Sequence, residues 1–291
     1  MKLTHDPENI HFSFSPKNRP VLEIGDRQSL TVETLDASNG QIRPGSKASI
    51  DRSRLLPVTG PIHVKGARPG HALAVQIQAI DFPEYGYAWI REGLGIHTTS
   101  VEGPYYAQRF RITDRVELPG GTLIPLRPMV GIVGVATETE ISTRFPGRHG
   151  GNLDCPDVSP NNTLWLPVIT PGAGLSLGDV HAAMGEGEVS GTGVEIEAAV
   201  TIVVNLHKDL SIEGPVVTTP KKTVFLASEA TAEQAARVAL ERAIRILRER
   251  KGLSEKDACI TASISGNLRF CQMVNGDITV GYELPREVFQ W

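Results

Sequence analysis

The segment Gly178-Asp-Val-His-Ala-Ala-Met-Gly-Glu-Gly-Glu188 lies between two strand patterns that set the expected fold. Leu175-Ser-Leu-Gly-Asp-Val180 overlaps the start of this segment. It has the pattern of a short strand that ends in a Gly-Asp turn and is followed by apolar residues. After it, Val194-Glu-Ile-Glu-Ala-Ala-Val-Thr-Ile-Val-Val-Asn-Leu206 alternates apolar and polar residues, which is the period of a strand. Short strands joined by such turns predict a mainly β protein, with a jelly-roll or sandwich-like body of short antiparallel strands.

The same pattern, two strands joined by a short Gly-containing turn, occurs twice nearer the N-terminus. Strand patterns at Val21–Ile24 and Ser29–Leu35 flank the turn Gly25-Asp26, and patterns at Pro61–Lys65 and Ala72–Ile80 flank a Pro-Gly turn. A short turn between two strand patterns is typical of a β-hairpin. The sequence therefore predicts two hairpins in this region.

The pattern changes after about residue 228. Thr231-Ala-Glu-Gln234 has the form of a capping box, and apolar residues then recur at helical spacing up to Gly252. Ser254 opens a second, shorter helix, and strand patterns near 268–274 and 278–284 close the chain. We therefore expect two domains, a β-rich body over residues 1–227 that carries the functional site and a smaller α+β part over residues 228–291.

Composition limits the class of protein. The 291 residues carry a net charge of −4, without the basic face that nucleic-acid binding requires, so no nucleic-acid partner is expected. No run approaches 18 apolar residues, and Met1–Glu8 lacks the form of a secretory leader, so we expect no membrane partner. Three cysteines without metal-finger spacing fit reduced thiols and a cytoplasmic protein.

Acidic residues are concentrated on a Gly-rich backbone around the opening segment. Within it, Asp179 and His181 are two apart and share one face of a strand, and a turn at 185–187 can return Glu188 beside them. This arrangement indicates a metal or acid/base site, or else an exposed acidic hairpin. The residues concerned are Asp154, Asp179, His181, Glu186, Glu188 and Glu195.

Other candidates lie on irregular segments. Asp154 follows two glycines and precedes Cys155-Pro156, so its carboxylate either serves a ligand or caps its own turn. Asn152 either donates to a developing oxyanion or holds the loop. His97 lies on a Gly-containing segment, and Glu33 with Asp36 forms a compact acidic pair.

Several enzyme classes lack support. Cys155 has no Lys or His activator nearby in the sequence, and no Gly-x-Ser-x-Gly or phosphate-binding glycine motif is present.

Two alternative functions stay open. One is a cupin-like metal-binding protein or oxidoreductase, although a cupin supplies two closely spaced histidines and His181 is alone. The other is a carbohydrate- or partner-binding sandwich, for which 5% aromatic residues leave few contact side chains.

Four blocks of sequence resemble the acetamidase/formamidase family: Val32–Gln41, Gly150–Asp154, Asn162–Pro167 and Gly178–Glu195. The resemblance extends over nearly the whole chain. It implies a hydrolase that converts a short amide such as formamide or acetamide to the acid and ammonia. It also implies a β-rich metal protein with a small α+β part that forms a homodimer or a higher homo-oligomer.

The resemblance leads to a hypothesis for the site. A divalent ion, expected to be Zn²⁺ because an imidazole lies among carboxylates, is held by His181 and Asp154 with His97 or Glu188. It lowers the pKa of a bound water to about 7 and polarises the amide carbonyl. Glu188 is the expected general base, which takes the proton of the water and passes it to the departing nitrogen.

Asp154 and Asn152 complete the expected catalytic set, as carboxylate and oxyanion donor. Glu33 and Asp36 are expected to hold a second, harder ion such as Ca²⁺, or to orient the ligands of the first ion.

Overall fold

A computed structural model describes residues 1–46, 48–97 and 100–291. Two large β-sheets form the body, and two helices cover one end of the first sheet. In chain order the strands are β1 (Lys2–Leu3), β2 (Ile10–His11), β3 (Ser13–Phe14), β4 (Leu22–Ile24), β5 (Gln28–Thr34), β6 (Val58–Val64), β7 (Ala72–Asp81), β8 (Tyr85–Ile90), β9 (Tyr106–Arg111), β10 (Arg115–Glu117), β11 (Leu123–Pro125), β12 (Met129–Gly134), β13 (Ile141–Ser142), β14 (Pro146–Gly147), β15 (Gly150–Asn152), β16 (Thr163–Pro167), β17 (Leu175–His181), β18 (Glu195–Ile196), β19 (Ala198–His207), β20 (Val216–Thr218), β21 (Lys222–Glu229), β22 (Asn267–Gln272) and β23 (Ile278–Pro285). The helices are α1 (Ala232–Lys251) and α2 (Glu255–Ser265).

The first sheet has the strand order β1-β5-β19-β7-β16-β20-β21-β23-β22. The second follows β14-β15-β12-β17-β18-β8-β9, with β6 also pairing β17, and β2 and β4 pairing β6. Leu73 and Ile202 of the first sheet and Val133 and Leu177 of the second belong to one buried apolar cluster. Burial of each such side chain contributes about 1.5–3 kcal/mol, so this shared core holds the two sheets together.

The fold class predicted from the sequence is confirmed, because most strand pairs are antiparallel and both α-helices of the described residues lie near the C-terminus. The two predicted hairpins are wrong. Strand β4 pairs β6 and β5 pairs β19, while β6 lies in the second sheet and β7 in the first. Each turn carries the chain from one sheet to the other. The Gly25-Asp26 turn, for example, is held by β19, since Asp26 Oδ1 accepts from Leu206 N at 2.7 Å.

The expected Gly-Asp turn at residues 178–179 is also wrong, because β17 is continuous from Leu175 to His181. Asp179 stays in this strand with a φ of +56°, a conformation that non-glycine residues rarely adopt. The strand therefore carries its carboxylate in a locally distorted backbone instead of ending there.

The C-terminal elements follow their sequence signals. The Thr231 hydroxyl accepts from Gln234 N, and α1 ends at Gly252 with a φ of +66°. Ser254 caps α2, and β22 with β23 closes the first sheet. The boundary at residue 227 falls inside β21, and the division into two domains stays a prediction. No helix in the described part of the chain is long and apolar enough to cross a membrane.

Candidate active site

Three neighbouring strands of the second sheet carry the centre of the site. His181 is the last residue of β17 and faces Met129 of β12 on one side and Glu195 of β18 on the other. Asp179 lies two residues earlier on the same face of β17. Because both registers are fixed by backbone pairing, the imidazole and the two carboxylates lie at defined positions beneath the surface.

Two turns add the remaining carboxylates. The backbone N–H groups of Leu153 and Asp154 both donate to Gly131 O, at 3.0 and 3.1 Å, which fixes the start of the Asp154 turn on β12. Glu188 N donates to Gly185 O at 3.1 Å, and the neighbouring Gly187 N donates to Cys271 O at 3.0 Å. Both turns are therefore anchored to strands rather than free at the surface.

Three acids of the cluster have a strained backbone. Asp154, Asp179 and Glu188 have φ values of +40°, +56° and +46°. A non-glycine residue held in this region costs of order 1–3 kcal/mol and persists only where the surrounding structure holds it in place. These are three of the eight non-glycine residues with positive φ in the described chain.

The cluster contains buried polar atoms without hydrogen-bond partners. His181 Nε2 lies 3.1 Å from Glu195 Oε2 and 3.4 Å from Asp179 Oδ1, yet none of these three atoms has a hydrogen bond of acceptable geometry in the described structure. Asp154 Oδ1 and Glu188 Oε2 are likewise buried and unsatisfied. An unmet buried polar group costs about 1–3 kcal/mol, which makes such convergence unfavourable unless a ligand occupies it.

The same atoms fit a metal ion. Two sets, Asp154 with Asp179 and His181, and His181 with Glu188 and Glu195, each place one ligand atom per residue within 4.8 Å of the others. Imidazole nitrogen and carboxylate oxygen are the donors of zinc sites and of other divalent transition metals. The donor set therefore suits a divalent cation centred on His181.

Burial and mutual repulsion disfavour the charged forms of these carboxyl groups. Burial, followed by the Asp179 charge, raises the pKa of Asp154 to about 7, although His181 opposes this shift. Burial likewise raises the pKa of Glu195 to about 8, and burial together with Asp154 raises that of Glu188 well above its usual value. For His181, burial alone lowers the pKa, but Glu195 and Asp179 outweigh it and the net direction is upward.

Two asparagines support the Asp154 turn. Asn275 Nδ2 donates to Asp154 Oδ2 at 2.6 Å and to Asn152 O at 3.3 Å. Asn152 Nδ2 donates to Arg144 O at 3.3 Å, while its Oδ1 is buried without a partner. Asn275 thus orients one carboxylate of the cluster from the far end of the chain.

A cavity of about 190 Å³ opens onto the cluster. Its polar lining includes Asp154, Asp179, Glu188, Glu195 and Asn152. Its apolar and basic lining includes Leu55, Leu56, Trp89, Leu94, Arg52, Arg91 and Arg144. A concave, partly apolar pocket with a few convergent polar groups is the usual form of a small-molecule site.

Comparison with known proteins decides the family. The sequence model of the Acetamidase/Formamidase family matches residues 1–146 and 136–291, which together span the chain. The chain belongs to the acetamidase/formamidase family. Membership places it among amide hydrolases, in agreement with the resemblance found in the sequence.

Relatives within the acetamidase/formamidase family share the fold. An acetamidase from Bacillus halodurans is 35% identical, with a TM-score of 0.94 over 99% of this chain and 98% of that one. A predicted acetamidase/formamidase from Thermoanaerobacter tengcongensis is 33% identical, with a TM-score of 0.94 over 99% and 96%. A putative formamidase from Schizosaccharomyces pombe is 26% identical over 74% of this chain and 69% of its own length.

Several of the residues predicted from the sequence lie together in this acetamidase/formamidase chain. Asp154, His181 and Glu188 meet in the buried cluster, and Asn152 lines the same cavity. Their roles as ligands, base and oxyanion donor stay predictions. Cys155 is fully buried in the apolar core and does not line the cavity.

Three predicted metal ligands are not brought to the cluster. His97 is exposed in a loop. Glu33 pairs with Lys2 and His5 near the surface, and the buried Asp36 accepts from Arg43 and Ser38. The carboxylates of Glu33 and Asp36 are thus engaged by basic or hydroxyl groups, and the structure gives no support to a calcium site formed by them.

The ligands and catalytic groups predicted from the sequence do not include three residues found at the site. Asp179 and Glu195 were grouped with the acidic segment but not selected as ligands, although Asp179 shares a strand face with His181. Glu195 lies opposite His181 because of the register between β17 and β18, which the sequence alone does not give. Asn275 carries no local signal, since it meets Asp154 across 121 residues of sequence.

Proposed function

We propose that this chain hydrolyses a short linear amide to a carboxylate and ammonia at the cluster around His181. The observation that carries the proposal is the approach of His181 Nε2 to Glu195 and Asp179 without a hydrogen bond, where both carboxylates line a substrate-sized cavity. Family membership supports the same reaction class.

We propose that His181 holds a divalent cation, with Zn²⁺ the expected ion, together with carboxylates drawn from Asp154, Asp179, Glu188 and Glu195. When bound, such a cation polarises the amide carbonyl and lowers the pKa of a neighbouring water towards 7. The unmet buried atoms of the cluster and its mixed nitrogen and oxygen donors support this fit.

Glu188 is the group proposed to move the proton. Burial and the Asp154 charge raise the pKa of Glu188 well above its usual value, so its carboxylate is a stronger base than that of an exposed glutamate. The same proton is then available to the nitrogen that leaves as ammonia. Asp154 lies beside Glu188, and Asn275 fixes the orientation of its carboxylate.

The test is ammonia release from formamide, acetamide, propionamide and a longer amide. Each reaction is run with the purified protein, with the chelated protein, and after restoration with Zn²⁺, Mn²⁺ or Ca²⁺. Release that chelation abolishes and Zn²⁺ restores is the expected result. Release that survives complete removal of metal would overturn the metal-dependent mechanism but keep the amidase. No release from any amide by metal-loaded protein would overturn the amidase function and favour a cupin-like metal protein.

We further propose a homodimer or higher homo-oligomer located in the cytoplasm, without a nucleic-acid or membrane partner. Sedimentation equilibrium of the purified protein tests the first point, and cell fractionation tests the second.

A further inference from the structure

Three arginines line the same cavity as the acidic cluster. Arg52 lies in the turn Arg52–Arg54, Arg91 directly follows β8, and Arg144 lies two residues after β13. Among the described residues, none of these three forms an ion pair with a carboxylate, whereas most ion pairs of the chain involve arginine. Three separate segments thus contribute unpaired positive charge to one wall.

The arginines are close enough to repel one another. Burial is the main cause that lowers the pKa of Arg91, and the charges of Arg52 and Arg144 lower it further. Arg52 and Arg144 are exposed to solvent, and no acidic partner neutralises the three groups, so they are available to bind an anion that enters the cavity. A carboxylate suits the planar donor fork of arginine in a bidentate geometry.

Four carboxyl groups line the same cavity, those of Asp154, Asp179, Glu188 and Glu195. The cavity lining therefore combines the acids of the proposed reaction centre with three arginines that have no acidic partner. Its apolar lining comes from Leu55, Leu56, Trp89 and Leu94. Asn152 lines the same cavity, is 1% exposed, and has a buried Oδ1 without a partner.

The cavity has room for more than the smallest amides. A water takes up about 30 Å³ of liquid volume, so a cavity of 190 Å³ holds about six waters. Formamide or acetamide fills only part of that space. A longer substrate fills more of it, and one with an apolar chain and an anionic terminus matches the apolar and basic lining.

We propose that the preferred substrate is a short aliphatic amide whose carbon chain ends in a carboxylate, that is, a monoamide of a small dicarboxylic acid. The terminal carboxylate binds Arg52, Arg91 and Arg144, and the amide lies at the His181 cluster. Water adds its oxygen to the carbonyl carbon, the C–N bond breaks, and ammonia leaves with the transferred proton. The terminal carboxylate is unchanged, and the product is a dicarboxylate. The inference rests on the proposed amidase function.

The first experiment compares kcat/KM for succinamate and glutaramate with that for butyramide, pentanamide and the methyl ester of succinamate. We expect at least tenfold higher kcat/KM for the carboxylates at low salt, carried mainly by KM. Because exposed charge interactions are screened by salt, this advantage falls as ionic strength rises, while kcat/KM for the neutral amides changes little.

Variants assign the effect to the arginines. Arg91→Gln and Arg144→Gln are each expected to lower the ratio of kcat/KM for succinamate to that for its methyl ester by about tenfold, and Arg91→Glu to lower it further. Arg54→Gln is the matched control, since Arg54 is exposed in the same turn as Arg52 and does not line the cavity. The control should leave the ratio unchanged.

The outcomes separate this inference from the proposed function. Hydrolysis of neutral amides with no advantage for the carboxylates would overturn the inference and leave the amidase standing. An equal loss for charged and neutral amides in Arg91→Gln and Arg144→Gln would also overturn it, because the arginines would then serve structure. Absence of hydrolysis for every amide would remove the proposed function itself.

Discussion

His181 Nε2 and Glu195 Oε2 face each other across the β17–β18 ladder at 3.1 Å, and they do so without forming a hydrogen bond. Strand register places the two side chains opposite each other, yet the ring is not aligned to donate to the carboxylate. Asp179 Oδ1 lies 3.4 Å from the same ring nitrogen, again without a hydrogen bond. Atoms held this way are oriented for a third partner rather than for one another.

Replacing His181 by alanine tests whether this third partner is a metal ion. Because the proposed cation loses its only imidazole, we expect His181→Ala to lose bound Zn²⁺ and turnover while the far-ultraviolet circular dichroism is retained. Metal content is measured by atomic absorption after dialysis. His71→Ala is the control, since His71 accepts a local bond from Arg68 N and lies outside the cluster. A fully active His181→Ala protein would contradict the assignment.

Replacing Glu188 by glutamine separates proton transfer from metal binding. The variant keeps a carbonyl oxygen at the position but cannot take up a proton, so we expect metal to be retained and kcat to fall by roughly a hundredfold or more. Glu186→Gln is the matched control. Glu186 is half exposed and pairs with Arg269, which also contacts Asp157 and Glu283. If both variants lose the same activity, Glu188 has no special role.

Substitution of Gly131 tests whether activity depends on the positions of the Asp154 and Asp179 carboxylates. A Cβ at this position would collide with Asp154 Oδ1 and lie 2.8 Å from Asp179 Oδ2. We expect Gly131→Ala to displace both carboxylates and to lower kcat/KM by roughly a hundredfold, the scale of an error of about 1 Å in an active site.

The control for that change is Gly25→Ala, where a Cβ meets only Gln28 Oε1 at 3.8 Å. Crystal structures of the two variants check the cause. Unmoved carboxylates in an inactive Gly131→Ala protein would refute the explanation.

Two buried histidines predict how stability depends on pH. Burial, with Arg148 as a second cause, lowers the pKa of His149 to about 4, and burial lowers that of His11 to about 4. Between about pH 4 and 6.5 the unfolded chain binds protons at these positions and the folded chain does not. The free energy of unfolding therefore falls as pH drops through this window, by up to about 1.4 kcal/mol per pH unit for each histidine.

The measurement is urea unfolding from pH 4 to 7 for the protein and for His149→Gln. Other titrating groups are common to both proteins, so the difference between the two curves isolates His149. We expect the variant to depend less steeply on pH in this window. Parallel curves would show that His149 is protonated in the folded state.

Local signals accounted for the helices and for part of the site. Thr231 and Ser254 start α1 and α2 as their capping patterns indicated, since a cap depends on the adjacent three or four residues. The pairing of Asp179 and His181 on one face also follows from the period of a strand.

Long-range pairing accounted for what the sequence did not predict. Nothing in the Gly25-Asp26 turn distinguishes a hairpin from a crossing between sheets, because the deciding bonds come from β19. Asp36 carries a carboxylate, which could serve as a metal ligand, but this carboxylate forms an ion pair with Arg43. Whether an acid faces a cavity or a guanidinium depends on tertiary packing, which one sequence does not display.

The order of residues along the chain has a consequence for synthesis. Asn275, which fixes the Asp154 carboxylate, lies between β22 and β23, far beyond the other residues of the cluster in the chain. A growing polypeptide therefore contains His181 and all four acids before the residue that orients Asp154 has been added. A fragment that stops short of β22 carries these side chains but lacks the contact that orients Asp154.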